Sequence, residues 1–486
     1  MKLLLCVLGL GLFAPLGAAP LGAAQAWLQD GGESYEELRA RELEGLVSRF
    51  REHAEWCKKK KLWLQRALAY EALLQFAPGD EEAHRGLGHK KQRDGSWTES
   101  KRAKPVDRSK RDLEEALARR VAISGPFVAA LRALYEKRED ELPAPVKDRI
   151  IADVLAVDPE SEWARGLRFE VKREGAWVMM EVANTAERRA ELIKLEKKTR
   201  GELEPAVEKG LTTLEEGLEL SFTAALERGG VRLVGTVEEE ELLECSENLR
   251  VARALLREHI GGQCAFSSDF TYFLLKNASE QATFLSQHPM VTDEDRKFLL
   301  SLESATLKGA RHFGSWSDDA PRRLDSACRQ GISNLLYNGH QVTSEHGWAF
   351  EGVGLYFTHK VTGTHLTWFV SPSRYMSARD DAAFREKLSK RDVDWLEEAR
   401  ILLKEEQLPN FFRGVGKNVN KLNTEDLLVC NAAVAFFVEG RPGVLPRILK
   451  KLGRGRTAHE VFLEELGMDL RQFDERLRRW LVETAD

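Results

Sequence analysis

The chain has 486 residues, of which 43% are hydrophobic and 31% are charged, and its formal net charge is -5 at pH 7. This balance can bury a core and offers no strongly basic surface, so it excludes disordered, fibrous and nucleic-acid-binding classes. Six cysteines are too few for a scaffold built on disulfides. At roughly 150 residues per domain, we expect a globular protein with several domains.

Residues 1–26 have the pattern of a secretory signal peptide. Lys2 is followed by the apolar run Leu3–Phe13, and Ala24-Gln25-Ala26 is a small-x-small cleavage site. The apolar run is shorter than the roughly 20 residues that cross a bilayer as a helix, and no later stretch is long enough. We therefore expect an exported protein, periplasmic or extracellular, without a membrane span.

The cysteines that remain after cleavage have no C-x-x-C spacing, which excludes zinc-ribbon and redox motifs. An oxidising compartment would allow one or two disulfides among them, with at least one free thiol. Removal of Cys6 with the signal peptide leaves Cys57, Cys245, Cys264, Cys328 and Cys430.

Residues 27–104 and 105–210 are predicted to be two helical repeat units. Apolar residues at three- and four-residue steps predict a helical hairpin over Ser34–Ala77, with a solvated break at Lys58–Lys61. The motif Arg93-Asp94-Gly95-Ser96-Trp97 returns 80 residues later as Arg173-Glu174-Gly175-Ala176-Trp177. Each unit is thus predicted to contain a helix, a break at Pro, a short helix and a turn that ends in Trp.

Two charged segments are predicted to connect these units. Thr98–Asp112 has the composition of an exposed linker, and Ala183–Glu208 that of a charged helix leading to the next domain. Spacings such as Leu74…Pro78…Ala83…Leu87 resemble tetratricopeptide-type repeats. The resemblance implies helical pairs that bind peptides or partner proteins, with a packing module that has no ligand as the alternative.

Residues 211–486 are predicted to form an α+β domain. An Asp/Ser-rich loop is expected around Trp316, and helical segments within Ala278–Leu307. The predicted strands are Gly230–Val237, Phe270–Leu275 and His365–Val370. The other predicted helices are Glu238–Ile260, Leu324–Tyr337, one that begins with Gly347–Tyr356, Leu427–Phe437, Leu445–Leu452 and Ala458–Leu481.

This domain resembles the catalytic domain of gluzincin zinc metallopeptidases, specifically the peptidase-MA-like group of exported bacterial proteins. The motif W-A-F-E-G-V-G-L-Y-F at Trp348–Phe357 and the C-terminal pattern from Phe462 to Leu481 carry the resemblance, which covers about half of the chain. It implies a small sheet with helices, one helix bearing H-E-x-x-H, and Glu351 on the next helix as the third zinc ligand.

The H-E-x-x-H motif itself is missing. Aligning Leu335-Leu336 with the family's trailing Leu pair places Arg329-Gln330-Gly331-Ile332-Ser333 at its position. Arg329 has no lone pair for a metal, Ser333 is a poor ligand, and the Gln330 amide cannot act as a general base. Zinc is therefore predicted to be lost, leaving no catalytic residue and a vestigial site of Arg329, Gln330, Ser333 and Glu351, with Arg329 paired to Glu351.

The sequence also contains residues for two other candidate sites. The metal could have moved to a set of histidines near Glu351, although exposed loop histidines are the simpler interpretation; the set is His340, His346, His359 and His365. Cys328 could serve as a thiol nucleophile, although a buried apolar cysteine is the simpler interpretation. The sequence thus predicts an exported, non-catalytic pseudo-metallopeptidase that binds peptides or proteins of the cell envelope, with an active hydrolase as the alternative.

Overall fold

The computed structural model describes residues 34–98, 106–107, 110–202, 204–300, 304–307, 312–368, 382–391 and 393–485. The predicted signal peptide and most of the predicted linker at 98–112 lie outside these ranges. The protein has an α+β fold, as predicted, and is mainly helical with a small mixed sheet. It divides into two compact units, the first ending at Glu170 and the second beginning at Val171.

The first unit follows one order of elements twice: two long helices, a short helix and a β-hairpin. The first set is α1 (Tyr35–Lys59), α2 (Trp63–Phe76), α3 (Glu81–Gly86), β1 (Lys90–Lys91) and β2 (Trp97–Thr98). The second set is α4 (Lys110–Arg138), α5 (Ala144–Val157), α6 (Glu162–Leu167), β3 (Glu170–Arg173) and β4 (Ala176–Met179), and its hairpin extends into the second unit. The two hairpins turn at Gly95 and Gly175, whose φ angles are 87° and 85°.

Capping side chains mark the first residues of α1 and α3. Ser34 and Glu37 form a capping box at the start of α1, and the Asp80 carboxylate accepts a hydrogen bond from the Ala83 amide at the start of α3. Apolar side chains of both element sets, including Phe50 and Phe127, line one shared core. The predicted repeat units 27–104 and 105–210 therefore do not have separate cores, because their described helices up to residue 170 form a single unit.

The second unit contains the sheet and the remaining helices. Its first half consists of α7 (Met180–Gly201), β5 (Val207–Glu208), α8 (Thr213–Glu216), β6 (Ala224–Arg228), β7 (Val231–Gly235), α9 (Glu239–His259), β8 (Thr271–Leu275), α10 (Ala278–Gln287), α11 (Asp293–Leu299), β9 (Ser304–Thr306) and β10 (His312–Trp316). Its second half consists of α12 (Ala320–His340), α13 (Gly347–Thr362), α14 (Ala382–Leu388), α15 (Trp395–Lys404), α16 (Phe411–Gly414), a 3₁₀ turn (Val419–Lys421), α17 (Thr424–Ala435), a π-helical turn (Phe436–Gly440), α18 (Val444–Leu452), α19 (Ala458–Leu466) and α20 (Leu470–Glu483).

The strands of the six-stranded sheet are ordered β5-β6-β7-β8-β10-β9, and β8 pairs in parallel with both β7 and β10. Side chains alternate along β8: Tyr272 packs with residues of α9 and α12, whereas Phe273 packs with residues of α10. Both faces of this strand are therefore covered, which explains why it has no exposed residue.

Helix α7 belongs to the second unit because its polar side chains are bound there. The Glu181 carboxylate is fully buried and accepts hydrogen bonds from Arg441 and Arg476 near the C-terminus. Asn184 donates to the Gly440 carbonyl. The unit boundary consequently falls before this helix, whereas the sequence pattern placed a boundary after residue 210.

Three local predictions differ from the structure. Strand β10 occupies the predicted loop around Trp316, and β9 lies within the stretch predicted to be helical. The described part of the predicted strand at 365–370 pairs with no strand, because the Leu366 and Thr367 amides donate to the Asp325 carboxylate instead. Among the described helices, none combines the length and apolar character needed to cross a membrane.

Candidate functional site

The candidate site lies where α12 meets α13. Both helices contribute buried apolar faces to the main core, and α13 also packs against α17. The close packing depends on small residues: a Cβ atom at Gly352 would lie 2.5 Å from the Cys430 carbonyl oxygen of α17. At Gly331 of α12, a side chain would overlap Leu249 of α9. Glycine in the middle of these helices thus permits contacts that offset its low helix propensity.

Arg329 and Glu351 form an ion pair inside this junction. Nη2 of Arg329 lies 2.7 Å from Oε2 of Glu351, and both side chains have 0% exposure. The predicted pairing of these two residues is confirmed. A side chain at Gly354, one turn from Glu351, would overlap the Arg329 guanidinium, so the glycine at this position of α13 makes room for the arginine.

The other two residues of the predicted vestigial site, Gln330 and Ser333, also lie on α12. The Ser333 hydroxyl donates a hydrogen bond of 2.9 Å to the Arg329 carbonyl oxygen, one turn back in its own helix. Gln330 is buried next to Arg329 in the chain. The structure therefore brings Arg329 and Glu351 together, while the hydroxyl of Ser333 is directed towards its own backbone.

Asp325 is a further buried group of the site that the sequence did not predict. Its carboxylate accepts hydrogen bonds from the Thr364 hydroxyl at 2.7 Å and from the Leu366 and Thr367 amides at 3.0 and 2.8 Å. Burial raises the pKa of Asp325, while these hydrogen bonds and the charge of Arg329 act in the opposite direction. Its position four residues before Arg329, on one helix face, is the only signal in the sequence.

The residues present do not fit a zinc ion in the arrangement that the resemblance implies. One Glu351 oxygen is bound by a guanidinium, which cannot ligate a metal, and α12 supplies no imidazole at positions 329 or 333. In the ranges that the structure describes, no group of three or more His, Cys, Asp or Glu side chains is arranged to hold a metal ion.

The four histidines of the alternative metal site do not form one cluster. His359 and His365 stack with their ring centroids 4.3 Å apart, and Trp395 covers the other side of His365 at 4.3 Å. Burial lowers the pKa of both histidines, so both rings are neutral at neutral pH. His340 is 7% exposed and packs near Gly262, and His346 precedes α13. The interpretation as exposed loop histidines is wrong for His340 and His365, because their neutral rings are buried.

The cysteines do not have the environment of a nucleophile. All five described cysteines are buried and free. Burial raises the pKa of Cys328 to about 12 and that of Cys264 to about 11. A thiol is nucleophilic as the thiolate, which these values disfavour at neutral pH.

A second buried polar cluster surrounds the π-helical turn. Glu439 has no exposed surface, and its carboxylate accepts hydrogen bonds from the Tyr356 hydroxyl at 2.9 Å and from Nε of Arg189 at 2.8 Å. The Lys360 ammonium lies 3.5 Å from the same carboxylate. This cluster ties α13, α7 and the C-terminal helices together.

Comparison with known proteins leaves the chain without an assigned family. No protein-family model, no curated protein and no solved structure matches it.

Proposed function

We propose that this protein is an exported, non-catalytic pseudo-metallopeptidase that binds a peptide or protein partner of the cell envelope. The observation that carries the proposal is the buried ion pair between Arg329 and Glu351. The resemblance to peptidase-MA-like domains implies a zinc ligand at each of these two positions, and at position 329 a permanent cation stands in place of the histidine. The ion pair joins the two helices, and Gln330 cannot supply a general base.

The alternative function is an active hydrolase with a rebuilt metal site or a thiol site. Its supporting residues are arranged unfavourably: Glu351 is engaged by Arg329, the four histidines are not clustered, and Cys328 is buried with a raised pKa. We therefore prefer the binding function, and a metal measurement distinguishes the two.

The first experiment measures zinc in the purified full chain after incubation with the metal and removal of the excess. We expect no stoichiometric zinc that depends on Glu351, and no metal-dependent cleavage of an unfolded protein substrate. The matched variant is Glu351→Gln, which removes the one retained ligand of the motif. Stoichiometric zinc in the wild type that disappears in this variant would contradict the proposal.

A second experiment tests the binding function directly. A random peptide library displayed on phage is selected on the full chain and, in parallel, on the heat-unfolded chain as a control. We expect a shared sequence pattern that is enriched only by the folded protein. Enrichment no greater than that on the unfolded control would contradict peptide binding while leaving the predicted loss of zinc untouched.

A further inference from the structure

A pair of histidines joins α10 to the sheet in the second unit. This pair lies on the side of the unit that faces away from the helices of Arg329 and Glu351. Nε2 of His288, the residue after α10, lies 3.0 Å from Nδ1 of His312, the first residue of β10. The backbone amide of Met290 donates a hydrogen bond of 3.2 Å to the other ring nitrogen of His288. Both ring nitrogens of His288 therefore take part in hydrogen bonds.

These two hydrogen bonds determine which ring nitrogens of the two histidines carry a proton. Because Nδ1 of His288 accepts the amide proton, its Nε2 carries the ring proton and donates to Nδ1 of His312. A proton added to His312 at this nitrogen would face the Nε2–H group, and a proton added to His288 would face the Met290 amide. Both bonds can therefore exist only while both rings are neutral.

The pair is positioned to hold α10 against the sheet. His288 is 2% exposed, and its amide donates to the Phe284 carbonyl, which ends the helix. The buried face of α10 contains Gln281 together with Phe284 and Leu285, which share a core cluster with Phe273 of β8. After His288 the chain turns into α11, so this residue marks the hinge between the two helices.

Few charges face the pair. Burial lowers the pKa of His288 to about 4, and the neighbouring His312 acts in the same direction. Burial also lowers the pKa of His312, while Asp269 and Glu215 oppose the shift.

Two further charged residues that the structure describes near α10 are bound elsewhere. Arg296 of α11 donates to the Leu285 carbonyl and pairs with Asp293, and Glu219 accepts from Gln287. Asp269 and Glu215 thus favour a proton on His312, whereas only burial and His312 act on the pKa of His288.

A second histidine pair in the first unit provides a contrast. His84 donates from Nε2 to the Pro78 carbonyl at 2.8 Å, so its Nδ1 accepts from Nδ1 of His89 at 2.8 Å. His89 can take up a proton at its other nitrogen while both bonds are kept. This pair tolerates one added proton, whereas the pair of His288 and His312 tolerates none.

We propose that His288 and His312 form an acid-sensitive latch, whose protonation releases α10 and α11 from the sheet and exposes the apolar surface beneath them. The released surface would join the side chains of Met290, Phe298 and Leu300, which are already 47%, 60% and 46% exposed. Acid would thereby convert this side of the second unit into a larger apolar face.

The direction of the effect follows from proton linkage. In the released state a histidine has an ordinary pKa of about 6.5, so the released state binds more protons than the latched state once the pH falls below that value. The latch is therefore fully effective above about pH 6.5 and weakens progressively as the pH falls towards about 4.

Hydrogen–deuterium exchange of the full chain tests the latch, with labelling at about pH 7 and about pH 5 corrected for intrinsic exchange. For one histidine with these two pKa values, the protection of α10 amides should fall on the order of 20-fold at the lower pH, and that of α9 should not. Unchanged protection of α10 in the wild type would overturn the proposal.

The decisive variant is the double substitution His288→Asn and His312→Asn, which removes both titrating rings and leaves an acceptor for the Met290 amide. In this variant, the protection of the α10 amides from exchange should be the same at both pH values, whatever the level of that protection. Substituting His84 and His89 by Asn is the matched control and should leave the acid response of α10 intact. An acid response that persists in the first double variant would equally overturn the proposal.

Discussion

Arg329 is a fully buried cation, and its position depends on two other residues. Glu351 supplies the opposite charge at 2.7 Å, and Gly354 leaves the space that the guanidinium fills. Removing one partner of a buried ion pair leaves an uncompensated charge in the core, whereas replacing both partners with apolar groups can be nearly neutral. The energetic role of the pair is therefore measurable by comparing single and double substitutions.

We predict that Glu351→Gln lowers the free energy of unfolding by about 3–5 kcal/mol, because Arg329 is left buried without its carboxylate. The double variant Arg329→Met with Glu351→Leu should lose less than this single variant. Urea denaturation followed by circular dichroism gives both values. Glu136→Gln breaks the exposed Arg132–Glu136 pair and serves as a control without a measurable shift. A double variant less stable than Glu351→Gln would contradict this account.

The residue pairing at the site could be predicted only in part. Glu351 is predictable because it lies within the W-A-F-E-G motif, and Arg329 because it aligns with the position of the missing H-E-x-x-H motif. Their contact is expected because the two helices that carry them are neighbours. Asp325 was missed because its partners, such as Thr364, are about 40 residues away and belong to a loop. The stacking of His365 on Trp395 was missed for the same reason, since no local pattern reports a contact between a loop and a later helix.

At the scale of elements, α7 is held both by apolar packing, which includes Leu192, and by polar contacts. Burial raises the pKa of Glu181, but hydrogen bonds and charge from Arg476 and Arg441 outweigh burial and leave the pKa below its ordinary value. The Trp480 indole also donates to the Thr185 hydroxyl at 2.9 Å. The helix is therefore bound to α20 and to the residues after the π-helical turn.

We predict that Glu181→Ala destabilises the second unit by at least about 3 kcal/mol, because two arginines lose their common carboxylate. Limited proteolysis should then cut within α7 at lower protease concentration than in the wild type. Glu187→Ala removes the same charge from an exposed position of the same helix and is the control. Equal protease sensitivity of the two variants would show that the buried contacts do not hold the helix.

Elements with a strong periodic pattern were predictable, and elements defined by distant partners were not. The predicted strand Gly230–Val237 and helix Glu238–Ile260 correspond to β7 and α9. Strand β10 was missed because His-Phe-Gly-Ser-Trp lacks the β-branched residues typical of a strand, and its pairing with β8 compensates for this weak propensity.

On the scale of the whole molecule, the two units have separate hydrophobic cores. No disulfide bond between described cysteines cross-links either unit. The five described cysteines are free and have no substantial exposed surface. The stability of the fold therefore depends on packing and on buried polar clusters. The sequence does not predict whether disulfides form, because the spacing of cysteines does not determine their pairing.

We predict that a thiol reagent reacts with the five described cysteines only after denaturation, and that a reducing agent leaves the Tm unchanged. Burial is the physical reason, since it hinders access and raises the pKa of Cys57 to about 11. A colorimetric thiol titration with and without guanidinium measures the first effect, and calorimetry the second. Fewer than five reactive thiols in the denatured, unreduced chain would indicate a disulfide and contradict the prediction.

The contacts of Glu181 set a condition on when the protein can fold. This carboxylate is neutralised by arginines that follow it by 260 and 295 residues. During synthesis, therefore, the second unit cannot complete its structure until almost the entire chain has been made, and contacts of such long sequence separation form slowly. The second unit is therefore expected to fold only after its last helices have been made, whereas the first unit can form its own core earlier in synthesis.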